Sequence, residues 1–297
     1  MTDHTKAHPA TVDRAPVADL GRLAASGRVP APEVMAGRAR RWGWWYFVES
    51  WLLGSKAWAV SILLYMVVMP LLYLVALGLG LGNLVDSGAG SVDGVPYLVF
   101  VGPALLVSTV VMSVGGELTY PVMAGFKWQR LYYGPHATPV TPEQIAVGQL
   151  VGVMIRFVVQ AAIFWALLLI FDAAPSGWSW LVIPIAVLTA AAFGGPLQAY
   201  AATLEDEGYQ FAFVQRFVIM PMFLFAGTFF PLSVMPLALQ WIGWVSPVWH
   251  GTQLARQATY GAAEPLWLTL THVIVLVAMA AAGVLVARRV YARRMGS

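Results

Sequence analysis

Cysteine is absent from the 297 residues. That excludes disulfides, thiolate metal sites and cysteine nucleophiles together. Charge is scarce: 10% of residues are Asp, Glu, Lys or Arg, against roughly 25% in soluble domains. No G-x-x-x-x-G-K-[ST] run occurs, so the phosphate cradle of a P-loop ATPase is missing. No H-E-x-x-H occurs. His4, His8, His136, His250 and His272 are scattered, which argues against a histidine metal site. No Ser/His/Asp set stands out. The long apolar runs carry no carboxylate at mid-length, which argues against a proton-coupled carrier. No run before Lys56 has the length and flanks of a signal peptide.

What is abundant is apolar: 59% of the residues are hydrophobic, which places the chain among membrane proteins. The expected organisation is all-α. Residues 1–37, rich in Ala, Pro and Gly, read as a disordered cytosolic tail. Residues 38–56 begin with Arg38, Arg40 and Arg41 and continue through Trp42, Trp44, Trp45 and Trp51. That pattern suits an interfacial elbow helix; the alternative is an extension of the first span. Apolar runs long enough to cross a membrane follow at 57–81, 95–116, 147–171, 178–203, 209–230 and 265–287. Between the last two, residues 231–255 are uncharged but contain Pro231, Pro236 and Pro247. Two short re-entrant helices fit better there than a straight span.

The basic residues set the orientation. Eight lie at or before Lys56, Lys127 and Arg130 follow the second span, and four arginines close the chain. The opposite side has only Arg256. The positive-inside rule then places both termini in the cytosol, with six spans and one re-entrant pair.

The polar loop 117–146 is the most distinctive stretch. It carries Trp128, Arg130, Leu131, Tyr132 and Tyr133, then Pro139 and Glu143. Aromatic and basic residues bounded by prolines read as a short cytosolic helix and turn for docking a soluble partner; the bland reading is an interhelical loop. Arg156 and Arg216 lie near membrane depth, with Glu205, Asp206 and Glu207 on the same side as possible partners. They are either interfacial anchors or functional charges. Phe225, Phe229, Phe230, Trp241, Trp244 and Trp249 surround the proline-rich stretch. They read as a substrate path or gate, or as plain helix packing.

These residues resemble the ABC-2 type exporter permeases, nearest the nodulation-factor and daunorubicin-type branch. The resemblance rests on the glycine run Gly78–Gly82, on Val92–Tyr97, and on the loop Glu117–Thr141. It also rests on Phe225–Leu232 with the downstream Ser246–Gly251, and on Leu254–Arg256. It covers 38 to the C terminus and makes 57–297 one six-span ABC-2 transmembrane domain. It implies a coupling helix in the first cytosolic loop and a homodimer of permeases in the bacterial cytoplasmic membrane, in contact with lipid and not nucleic acid. It also implies two copies of a separate ABC ATPase that bind ATP and Mg, since this chain holds neither cofactor nor catalytic site. The substrate class it implies is amphipathic or lipid-linked: a glycolipid, a polysaccharide or a drug. Multidrug, antibiotic or peptide efflux, or a non-transport assembly role, are the alternatives. Gln129 stands where such permeases carry a further acidic residue.

Overall fold

The computed structural model describes residues 32–296 apart from 89 and 207. Most of the expected tail, together with Glu207 and Ser297, therefore lies outside the described residues. The expected disordered tail does not extend over 32–37, because helix α1 already begins at Pro32 (Pro32–Ser55). Proline suits the first helical turn, and Glu33 there favours the positive end of the helix dipole.

A three-residue 3-10 turn, Lys56–Trp58, joins α1 to α2 (Ala59–Tyr73). A π-helical stretch, Leu74–Leu81, and α3 (Gly82–Gly88) carry the helix seven residues beyond the expected end at Leu81. The glycine run has a packing reason. A Cβ on Gly78 would lie 2.6 Å from Leu98 Cδ1, so glycine admits the next helix.

Then come α4 (Tyr97–Glu117), α5 (Tyr120–Phe126), α6 (Tyr133–His136) and α7 (Pro142–Ile170). Helix α8 (Val182–Thr203) follows a 3-10 turn. The next apolar stretch is broken into α9 (Gln210–Val214), a π turn Gln215–Ile219 and α10 (Met220–Phe225). Two short helices, α11 (Leu237–Val245) and α12 (Pro247–Tyr260), precede α13 (Leu266–Met295). Among the described residues the sole extended pairing is the isolated bridge between Val92 and Val95.

Among the described residues, five helical stretches are long and apolar enough to cross a membrane: Glu33–Gly88, Tyr97–Phe126, Pro142–Ile170, Ser179–Thr203 and Leu266–Met295. The expected fifth of six spans is the exception. Its apolar helix covers Gln210–Phe225 and stops short of Phe230. At about 1.5 Å per residue that is roughly 24 Å, less than a hydrocarbon core of about 30 Å. Gly227, with a positive φ of 78°, turns the chain away two residues later.

Helix α4 is the most enclosed, and Phe100, Leu105, Leu106, Val110 and Val114 form the centre of the core. Helices α8 and α13 pack at backbone contact. A Cβ on Gly283 would sit 2.3 Å from Pro196 Cδ, and one on Gly195 would meet the Gly283 backbone at 3.1 Å. Helix α1 follows the first turns of α7 in parallel: Gly43 lies against Gln144, Phe47 against Gly148, and Trp51 against Gly152. The pairing difference of 101 residues is the same at all three points.

Candidate functional site: an exposed loop ledge and a polar cluster at the opposite end

The ledge is built on one buried tyrosine. The Tyr132 ring stands 4.8 Å from Phe126, 5.4 Å from Tyr291 and 6.0 Å from Phe47. Tyr291 Oη lies 3.4 Å from Tyr132 Oη and accepts from Gln198 Nε2, which also donates to Ala146 O. Burial pushes the Tyr132 phenol well above its usual range, so it stays neutral. Gly125 is required beneath it, because a Cβ there would collide with the ring at 2.3 Å.

This anchor presents the rest of the loop. Lys127, Trp128, Gln129, Arg130 and Leu131 are all exposed, as is Tyr133. Arg130 holds a positive φ of 51° and its guanidinium lies over the Tyr133 ring. Trp128 stacks on Tyr120. The docking set therefore divides: Trp128, Arg130, Leu131 and Tyr133 form the surface, and Tyr132 is its interior support, contrary to the grouping expected from sequence. Pro139 is exposed and Glu143 half-buried in the first turn of α7. There Thr141 and Gln144 form a capping box, and Gln144 Nε2 also reaches the carbonyls of Ala39 and Arg40.

The interfacial charges pair differently from expectation. Arg156 is bound to Glu117, not to the acidic turn, through two contacts of 2.9 and 3.0 Å. Trp51 covers the guanidinium. Asp206 instead receives Lys127 at 2.6 Å, and that hydrogen bond holds its carboxyl below the usual range. Glu205 is exposed, and Arg216 is exposed on the π turn. The pairing follows from helix packing, which sets α4 beside α7 and brings Asp206 to Lys127 at the end of α5.

The expected gate residues do not share one wall. Phe229 packs edge-on against Phe223, and its carbonyl accepts from Tyr97 Oη. Phe225 is half-buried. Phe230, Trp241 and Trp244 face outward. Trp249 lies against the rings of His250 and His272.

That last contact leads to a cluster the sequence reading missed. His250 and His272 are not scattered: their Nδ1 atoms are 2.7 Å apart. His250 Nε2 is 3.1 Å from the Trp244 carbonyl, which only accepts, so that nitrogen carries the hydrogen. His272 Nδ1 must then donate to His250 Nδ1. His272 Nε2 faces the Glu264 carboxylate at 3.3 Å. Glu264 also accepts from Gln253 and Gln257. Gln253 Oε1 accepts from Arg256, which is 4% exposed. Arg256 donates to Phe100 O and Gly227 O and lies 3.7 Å over the Phe100 ring. The signal was present: a histidine six residues into an apolar helix, and a basic residue in a stretch otherwise without charge. Among the described residues no group of three or more His, Cys, Asp or Glu is arranged to hold a metal ion.

Among the described residues, several apolar helices of membrane-crossing length, an exposed ledge between two of them and a buried polar cluster at the other end define a multi-pass helical membrane protein. Residues 48–260 match the ABC-2 type transporter family, and the chain belongs to it. It is 28% identical to Nodulation protein J of Rhizobium meliloti (strain 1021) over 235 residues, 77% of this chain and 85% of that one. It is 27% identical to Nodulation protein J of Sinorhizobium fredii (strain NBRC 101917 / NGR234) over 222 residues, 72% and 81% of the two. The inner membrane transport permease YadH of Escherichia coli (strain K12) is 25% identical over 208 residues, 67% of this chain and 79% of that one. No solved structure is significantly similar to the chain.

Proposed function

We propose that the chain is the membrane-spanning subunit of an ATP-driven exporter. It pairs with a second copy of itself and with two copies of a separate ABC ATPase that bind ATP and Mg. It moves an amphipathic or lipid-linked substrate outward from the cytosol or the inner leaflet. The observation that carries this reading is the ledge: Trp128, Arg130, Leu131 and Tyr133, exposed together on the buried Tyr132 support. Aromatic and arginine side chains on a rigid base are the residue types that dominate protein interfaces.

In this reading both termini are cytosolic and Gln210–Phe225 is a short fifth span. Residues 231–255 open the re-entrant pair, which the helix α12 extends to Tyr260. Its support is a depth argument. Gly251 lies against Val107 and Thr189. Both are ten residues from the ends of their helical stretches at Tyr97 and Ser179, about 15 Å at 1.5 Å per residue. At its far end α12 is tied to the loops, by Ser176 N to Thr259 O and by Tyr260 Oη to Asp93. Helix α1 is the elbow, seated on α7.

The test is co-purification. Exchanging Trp128, Arg130 and Tyr133 together for Ala is expected to abolish the ATP-hydrolysing activity that accompanies the chain, with the permease still in the membrane. Undiminished activity in the eluate sinks the docking assignment.

A further inference from the structure

A groove of about 440 Å³ opens between α2, α4 and α7. Four polar side chains, Glu117, Arg156, Gln160 and Ser113, line it among the apolar Ile62, Met66, Met112 and Phe157. Its mouth is aromatic: Trp58 and Tyr65, both exposed. Gln160 and Arg156 lie ten and fourteen residues before the end of α7 at Ile170. At 1.5 Å per residue they are about 15 and 21 Å below that end, within the apolar length of the helix. Charged side chains at such depth are costly, and they mark substrate or ion paths when they face a cavity.

The chemistry of the wall restricts the ligand. Arg156 and Glu117 neutralise each other in a forked pair, so the groove offers no net charge to a phosphate or an ammonium. Gln160 is 4% exposed and spends one amide hydrogen on Ser113 Oγ. Arg156 Nε is buried and makes no hydrogen bond. Donors and acceptors of both kinds, with no net charge and flat rings at the mouth, match a neutral ring bearing several hydroxyls. The face beside the groove is apolar and uncovered over Leu64, Val67, Val68 and Leu71, which suits an acyl chain.

We propose that this groove is the inner-leaflet binding site for the neutral, hydroxyl-rich headgroup of an amphiphile. The proposal rests on the exporter reading and names the substrate class for it.

The chain lacks cysteine, so Ser61→Cys at the groove lining gives a single fluorophore position. The purified full chain in phosphatidylcholine nanodiscs is titrated with octyl glucoside, octyl phosphate and octyltrimethylammonium, which share one tail. The expected result is a saturable shift with the glucoside, at affinity at least fivefold above the two ions. A label at Ser91→Cys reports partition alone. Gln160→Leu keeps the ion pair and leaves Ser113 Oγ bonded to Thr109 O; it is expected to weaken the glucoside roughly three- to tenfold, the loss of one hydrogen bond. Glu117→Gln leaves Arg156 uncompensated and is expected to turn the preference toward octyl phosphate. Equal response to all three amphiphiles, an initial preference for either ion, or indifference to Gln160→Leu overturns the proposal. Because no ATPase is present in this assay, a failure of the docking assignment leaves its outcome untouched.

Discussion

Replacing Tyr132 by Ala tests whether the ledge is held from inside. The side chain is 2% exposed and touches the rings of Phe126, Tyr291 and Phe47. Deleting a buried aromatic ring costs about 3–5 kcal/mol, because packing is lost and a cavity remains. Its surroundings resist collapse: Gly125 and Phe126 belong to α5, and Tyr291 belongs to the long helix α13. Tyr132→Phe removes just the 3.4 Å hydroxyl contact to Tyr291, worth about 1 kcal/mol or less. Arg130→Ala, on the exposed side, is expected to change stability by no more than about 0.5 kcal/mol. The assay is thermal unfolding of the purified permease, followed by near-ultraviolet circular dichroism. At about 2 °C or more per kcal/mol, Tyr132→Ala is expected to lower the midpoint by roughly 6 °C or more, and Arg130→Ala by about 1 °C. Partner binding is expected to fail in both, for different reasons. A Tyr132→Ala protein as stable as the parent refutes the assignment of Tyr132 as the support.

Three further outcomes follow from the packing. Gly283→Val is expected to abolish folding, since its Cβ would meet the Pro196 ring and the Gly195 backbone, and neither can move aside; a monodisperse, parent-like elution profile contradicts this. Arg256→Gln leaves buried carbonyls of Phe100 and Gly227 without their donor, and is expected to cost about 2 kcal/mol or more, read as a lower unfolding midpoint. A cysteine at Ser91 is expected to react with an impermeant thiol reagent from outside the cell and one at Thr141 is not; the reverse pattern contradicts the orientation.

Much of the helical layout was readable because it is local. Prolines and apolar runs placed the start of α4 two residues from Tyr97 and that of α8 four residues from Val182, the 3-10 turn at Ser179 lying between. Pro231, Pro236 and Pro247 marked the short helices α11 and α12. The break in the Gln210–Phe225 stretch was not readable. A π turn is a choice of hydrogen-bond partner, and uniform apolar residues do not signal it. The ledge was legible as composition, but its sidedness was not. Nothing in Leu131-Tyr132-Tyr133 says which tyrosine faces in; Phe126 and Tyr291 decide that, and Tyr291 is 159 residues away. The Glu117–Arg156 and His250–His272 pairs span 39 and 22 residues. They arise from which helices lie side by side, and one-dimensional spacing carries no record of that.

The exporter reading depends on what covers the ledge in the cell. The most direct measurement places a photo-crosslinking amino acid at Leu131, the ledge residue most exposed among the apolar ones at 58%, and irradiates intact membranes. The expected product joins the chain to a soluble protein that is itself labelled by a photoreactive ATP analogue. Crosslinks confined to lipid or to a second copy of the chain contradict the ledge as an ATPase dock.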